Sequence, residues 1–480
     1  MFRLFLPALL ATIVSLQPAH AQTSILIAAE DLRADFIALH ETLEAAHFDL
    51  YAHTPRSVFD QRRAEIFAEL SSPLSRRDAA VLFQTYVALA RHGHARIDFP
   101  FDTWFDWVGN GGVILPIDVR IREGQVWLAD HQSASDALSL GDEILSLNGI
   151  PNAVWLARYT RHLSADTPHM AYTLLETYLP LIFWVENPDA TSVELEVRNR
   201  AGQITTLALP LLNLDEIRAA RSQANPFVLP EYDARMLDGD IAYLRPGAFS
   251  NSTPGESPWD PTRYIARVDE ALTHFTNADA RALIIDIRDN PGGDTSFSDP
   301  IIAWFADRPW RFASRFQVRV SDATTASNAS RLSEGANAIS QRYAALFAHA
   351  ENGDIVDFEL DMEQPRDGQQ FQGDVYVLVN RYSYSNATTM AALIQDYGFA
   401  TIAGEMTADM ATTFGALERY TLPNTGLVLG YPKAHIIRPN GEDHPHPVTP
   451  DLELDFPVLR GETDVVLEQL RALISERSQD

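Results

Sequence analysis

Ser385 stands where a buried strand gives way to a helix. Val375–Val379 is a continuous apolar run of strand length, and Asn380–Ser383 is polar and turn-like. From Asn386 the apolar residues Ala387, Met390, Ala391 and Ile394 return at helical spacing until Gly398. A helix N-terminus presents unpaired backbone N–H groups and a partial positive charge. Both favour an oxyanion developing beside a hydroxyl. The same position is also where a serine caps a helix and does nothing else.

A second stretch with chemical potential is Arg288–Asp294, which follows the apolar run Leu283–Ile287. Gly292 and Gly293 adopt backbone angles closed to other residues and let main-chain N–H groups approach a ligand. Alone, Pro291-Gly292-Gly293 is a turn signal. Paired with a strand–serine–helix unit, one N–H from Gly292 or Gly293 and the N–H of Asn386 make a two-donor oxyanion site, worth about 3 kcal/mol per donor in acyl transfer. A serine hydroxyl also needs a base. Lys433 is the only lysine in the chain, so the candidates are histidines, and His92 and His94 flank Gly93 at the end of a helical region. As a metal pair, two histidines two residues apart lack the third ligand that zinc requires. The loop Glu442-Asp443-His444-Pro445-His446 offers a carboxylate to orient a base, or is a solvated acidic loop.

The elements that must position these groups are legible in outline. Apolar residues at Leu32, Phe36, Leu39 and Leu43, followed by two capping-box patterns at Ser57 and Ser75, predict a small helical domain over residues 22–98 that ends in the His94 segment. Phe99–Gly112 reads as irregular, with Trp104 and Trp107 as packing residues. From Val113 the apolar period becomes two, and Gly141–Pro151 reads as a strand with an Asn-Gly turn. Residues 113–212 are therefore a β-rich module with a helical insert near Ala153–Phe183. A linker near Leu212–Tyr232 leads into β-α-β patterning over 233–460, which includes an exposed excursion at Ser321–Phe371. A final helix lies within 461–480.

With 480 residues, 46% hydrophobic content and no cysteine, the chain has material for several domains and excludes disulfide or thiolate chemistry. A formal net charge of −28 argues against nucleic acid or an anionic membrane as partner. Arg3, the apolar run Leu4–Leu16 and Ala19-His20-Ala21 form a leader pattern over residues 1–21, so the mature chain is expected in the periplasm or secreted.

Taken together, the segments resemble the tail-specific (C-terminal processing) proteases and the tricorn-core serine peptidases. Leu283–Gly293 is similar to the family's strand-and-glycine signature, and Val377–Ala387 to its nucleophile turn, with Ser385 at the nucleophile position. Gly404-Glu405-x-Thr407, Gly141–Pro151 and Val448-Thr449-Pro450-Asp451 follow in family order. The resemblance implies an α/β core of the crotonase and Clp-protease type, ββα units in a superhelix, with a PDZ-like module at 113–212. It implies cofactor-free hydrolysis of peptides or unfolded protein through an acyl-enzyme. Met410 occupies the position of the lysine used by one branch, whereas Gly93-His94 matches the histidine context of the other. The resemblance thus implies Ser385 as nucleophile, His94 as general base and Glu442 as supporting carboxylate, with Gly292, Gly293 and Asn386 around the oxyanion and no metal. The rival expectations are a non-catalytic protein binding peptides or apolar ligands on the same scaffold, and an esterase.

Overall fold

A computed structural model describes residues 26–98, 100–133, 135–221, 231–253, 255–333, 338–461 and 463–477; the leader expected over 1–21 lies outside them. The apolar runs that read as buried strands assemble into one six-stranded sheet. Its order is Asp233–Leu237, Ile241–Arg245, Ala282–Asp286, Asp374–Val379, Thr401–Gly404 and Leu452–Glu453. The first pair is antiparallel and the others are parallel. Side chains alternate between the faces, and both faces are covered, which is why these strands are apolar throughout rather than at every second residue. Leu283, Ile285 and Val377 pack under the helices Thr262–Asn277, Thr295–Ile302 and Asn386–Tyr397. Ile284, Tyr376 and Leu378 face Leu467, Leu470 and Ile474 of the helix Val465–Arg477. That last helix closes the far face of the sheet, so Val465–Arg477 belongs to the core.

A second sheet is built on the long hairpin Thr413–Thr421 and Val428–Ile437. Arg315–Arg319 pairs with Val428–Ile437 on one side, and the two-residue strand Arg96–Ile97 pairs with it through Ile97↔Leu429 and Arg96↔Gly430. The N-terminal helices Ala29–Ala46, Arg56–Glu69 and Arg76–Val87 form, but the second begins at Arg56 with Pro55 as N-cap and no side-chain cap, so Ser57 does not open it as expected. Ser75 caps the third by accepting the Asp78 N–H. Their core is not closed off, however: Phe36, Leu43, Phe59 and Phe83 share one cluster with Leu422, Leu427, Leu429 and Tyr431 of the hairpin. Phe101–Gly109, read as irregular, is a helix. Trp104 and Trp107 hold it by packing on Trp184 at 5.4 and 6.1 Å.

The β module is an antiparallel sheet in the order Ile117–Arg122, Gln125–His131, Glu143–Leu147, Ser192–Arg198 and Ile204–Pro210. Its insert forms the helices Asn152–Thr160 and Pro168–Glu186. Among the described residues no helix is long and apolar enough to cross a membrane.

Module and core are joined by a buried charge network. Glu176, on the helix Pro168–Glu186, accepts the Ile121 N–H at 2.5 Å, bonds Arg381 Nη1 at 3.3 Å and accepts the Tyr382 hydroxyl. Arg120 donates to Tyr382 Oη at 2.7 Å and to Glu405 at 3.2 Å. Arg381 and Tyr382 belong to the turn that leads to Ser385, so the network fixes that turn against the module. Removing one member of a buried ion network leaves uncompensated charge. Glu176→Ala should destabilise the protein by roughly 3–5 kcal/mol, seen as a lower urea midpoint; a midpoint unchanged within error would show that the network does not hold the two parts together.

Candidate active site

Ser385 is the N-cap of the helix Asn386–Tyr397, but its side chain makes no capping hydrogen bond. Its backbone lies at φ 52° and ψ −122°, a conformation that L-residues with a Cβ avoid at a cost of about 1–3 kcal/mol. Two loops hold it there. Asn380 Oδ1 accepts the Asp289 N–H at 3.0 Å, and Asn380 Nδ2 donates to Asp289 Oδ1 at 2.9 Å. Ser383 Oγ donates to the Ile287 carbonyl, and the Tyr384 N–H donates to the Asn290 carbonyl. Asp289 is itself gripped by both Arg460 Nη atoms at 2.6 and 2.7 Å.

The glycines have separate tasks. A Cβ on Gly292 would lie 2.5 Å from the Tyr384 carbonyl and 2.8 Å from the Asn386 nitrogen, so only glycine lets this loop seat against the serine turn. Yet the Gly292 N–H is spent on Asn290 Oδ1 at 2.8 Å, which removes it from the expected oxyanion donors. Gly293 lines the cleft together with Ser385 and Asn386. The Asn386 N–H is in the first turn of its helix, where no helical acceptor exists, and the Asn386 side chain is anchored to Ser298 Oγ at 3.0 Å.

His94 reaches this turn from nearly 300 residues upstream in the chain, about the length of a whole domain. Pairing of Arg96–Ile97 with the hairpin sets its position, and the Gln84 side chain ties the segment by accepting the Ile97 N–H at 2.7 Å. The Tyr384 hydroxyl donates to the Gly93 carbonyl at 2.9 Å, and the His94 ring stacks on Tyr384 with centroids 5.5 Å apart. Gly93 is glycine because a Cβ there would strike Met170 and the Tyr384 hydroxyl. The carbonyl of Phe414, on the hairpin, accepts a hydrogen bond from the His94 ring. Burial and then Arg96 push His94 down to about 4, while the Asp166 carboxylate and the Phe414 carbonyl act in the opposite sense. His94 is therefore neutral at neutral pH.

The structure does not bring Glu442 to the place expected of it. Its carboxylate is half-exposed and lies 2.9 Å from His446 Nε2, because the loop folds back on itself and Thr412 Oγ1 holds the Glu442 carbonyl. The carboxylate that acts on His94 is Asp166, whose Oδ2 accepts the Gly93 N–H at 2.9 Å. Lys433 is also committed elsewhere, paired with Glu418 and lying 3.9 Å from the Tyr343 ring centroid. Met410 is 1% exposed and bridges Pro447.

Asp409, one residue before it, was not anticipated. It is buried, its Oδ2 accepts the Ser385 N–H at 2.6 Å, and its Oδ1 has no hydrogen-bond partner. Burial and then the Asp166 charge raise its carboxyl to about 7. Ser385, His94, Gly293, Asn386 and Asp409 all line one cleft of about 2290 Å³, whose walls include Phe105 and Leu174.

Residues 240–454 match the family model described as Peptidase family S41. That segment is a peptidase family S41 domain. With it the chain belongs to the serine peptidases. Two crystal structures of mature CPAF share the α/β fold at 16% sequence identity. One matches with a TM-score of 0.61 over 90% of this chain and 93% of that one. The other, complexed with lactacystin, matches with 0.62 over 93% and 98%. No curated protein matches the chain by sequence.

Asp409 generates a pH prediction. A carboxyl raised by folding binds a proton in the native state that the unfolded chain has released, so stability falls as pH rises from about 4 to about 7. Asp409→Asn should remove that slope and stabilise the protein at pH 8 by up to about 4 kcal/mol, with little effect at pH 4. Urea unfolding at the two pH values measures it; equal effects at both would mean that Asp409 is not the titrating group.

Proposed function

We propose that the chain is an exported serine endopeptidase in which Ser385 is the nucleophile and His94 the general base. The observation that carries this reading is the N-cap serine whose hydroxyl is left out of capping while its backbone is held at φ 52° beside a neutral histidine. A serine present only to cap the helix would use its oxygen and would not need a strained backbone.

In this reading the Ser385 Oγ–H proton passes to the free lone pair of His94 as Oγ bonds to the scissile carbonyl carbon. The resulting oxyanion is met by the N–H of Asn386 and that of Gly293. Collapse breaks the C–N bond, and His94 returns the proton to the leaving amine. Water then loses a proton to His94 and attacks the acyl carbon; the bond from that carbon to Ser385 Oγ breaks, and His94 returns the proton to Oγ as the acid leaves. The Phe414 carbonyl fixes the orientation of the imidazole, and the Asp166 charge favours its protonated form. Asp409 holds the nucleophile turn through the Ser385 N–H.

The cleft supports a peptide or unfolded protein as substrate. Its volume of about 2290 Å³ exceeds the roughly 300–1,000 Å³ of sites for small molecules. We read the sheet and its helices as the ββα superhelix of the crotonase and Clp-protease type, and residues 113–212 as a PDZ-like module beside the cleft. The leader pattern over residues 1–21 supports export.

A fluorophosphonate should label Ser385 and no other residue, and lactacystin, bound in one CPAF structure, should be tried as a competitor. Ser385→Ala should lose casein hydrolysis by about a thousandfold or more, and His94→Ala by a comparable factor. Casein left intact by the wild type, with no labelling of Ser385, would instead make the chain a peptide-binding protein, and digestion unchanged in Ser385→Ala would move the nucleophile elsewhere. Because the base must be neutral, kcat/KM should stay high down to about pH 5 and fall as His94 protonates near 4. That acid limb should persist in Asp409→Asn; a limb near 6.5 would place the base in a less buried setting.

A further inference from the structure

His92 is a neighbour of the proposed base but has no part in it. Its side chain is 1% exposed, and its Nδ1 lies 3.1 Å from His47 Nε2. Its Nε2 is buried and has no hydrogen-bond partner. His53 Nε2 is also buried and without a hydrogen-bond partner, 3.9 Å from Asp166 Oδ1. One ligand atom from each of His53, His92 and Asp166 lies within 4.8 Å of the other two. The two imidazole nitrogens are left unsatisfied beside a carboxylate, which costs about 1–3 kcal/mol each. A cation removes that cost.

We propose that His53, His92 and Asp166 form a binding site for a divalent transition-metal ion of the zinc class. Two imidazoles and one carboxylate are a donor set suited to zinc, with the fourth position left to water. Ligands at the usual zinc distances are about 3.3 Å apart, so the site needs to contract by up to about 1.5 Å, within reach of side-chain rotation. The surrounding bonds suit this use. In the tautomer with the proton on His92 Nδ1, shared with His47 Nε2, the His92 Nε2 lone pair is left for the metal, and the Gly93 N–H steadies Asp166 through Oδ2. His53 is 28% exposed at its side chain, which provides a path for entry from solvent.

The three ligands come from different segments: the loop after Ala29–Ala46, the His92–His94 segment, and the approach to the helix Pro168–Glu186. An ion here clamps the N-terminal helices to the insert of the β module, directly behind Gly93. Its role is to fix the segment that carries His94, without touching substrate. The site does not depend on the peptidase reading, because its readouts are metal content and thermal stability.

The test uses the untagged full-length chain, stripped with a chelator and then titrated with zinc or cobalt. One equivalent of zinc per chain is expected, with a Tm rise of about 2 °C or more, and cobalt should give the visible absorption of a four-coordinate site. His53→Ala and Asp166→Asn should each weaken zinc binding at least tenfold, whereas His446→Ala, in the exposed histidine loop, should leave it unchanged. Magnesium should not shift Tm. Absence of stoichiometric zinc, or wild-type affinity in both His53→Ala and Asp166→Asn, overturns the site. Loss of binding in His446→Ala alone reassigns the ion to the surface loop and equally overturns it.

Discussion

The backbone of Ser385 is held at a φ that its own sequence disfavours, and much of the surrounding structure exists to hold it. The strain is of the order of 1–3 kcal/mol, small against the hydrogen bonds that oppose it. Asn290, Asn380 and Ser383 stitch the loop after Ala282–Asp286 to the loop after Asp374–Val379. Those strands are adjacent and parallel, so both loops leave the same end of the sheet. Each loop is therefore the template for the other. Gly292 is the contact point, and its missing side chain is what lets the two close.

His94 obeys a different constraint. No covalent neighbour brings it to the serine turn; a two-residue strand does, by adding Arg96–Ile97 to the hairpin edge. The same hairpin supplies the Phe414 carbonyl, so the element that positions the ring also provides its hydrogen-bond acceptor. The N-terminal helices share their core with that hairpin. Their packing is thus a condition for the site, although none of their side chains reaches Ser385.

What the sequence made legible was what local pattern controls. The apolar runs around Ile285 and Val377, the helix beginning at Asn386 and the paired glycines are readable because each depends on residues within a few positions. The chain segment Val448–Asp451 was readable as a motif, but its task was not: Asp451 accepts the Ile402 N–H and binds Gln395, tying the edge of the sheet. Asp166, Asp409 and the Phe414 carbonyl were not legible. Asp166 sits in a loop with no local signature, Asp409 was overshadowed by Met410 beside it, and a backbone carbonyl carries no residue type to read. Glu442 shows the opposite failure, since proximity in sequence to Val448–Asp451 said nothing about a loop that turns its carboxylate to His446.

These placements bear on how an imidazole would serve as the proposed base. A lysine needs burial alone to become a neutral base, because desolvation lowers an ammonium directly. A histidine is already close to neutral, and burial carries it further, to about 4 here. In the proposed reaction that makes it an available acceptor but a weak one, so the proton it takes must be stabilised after transfer. A neutral carbonyl such as that of Phe414 orients the ring and offers a dipole. It does not offer the full charge that a carboxylate in direct contact would supply. In the metal-free chain the Asp166 charge, acting through a buried and poorly screened interior, makes up part of the difference. The same charge raises Asp409. One carboxylate thus favours protonation both at the imidazole and at the group that holds the serine N–H, which couples the two sides of the cleft without a bond between them.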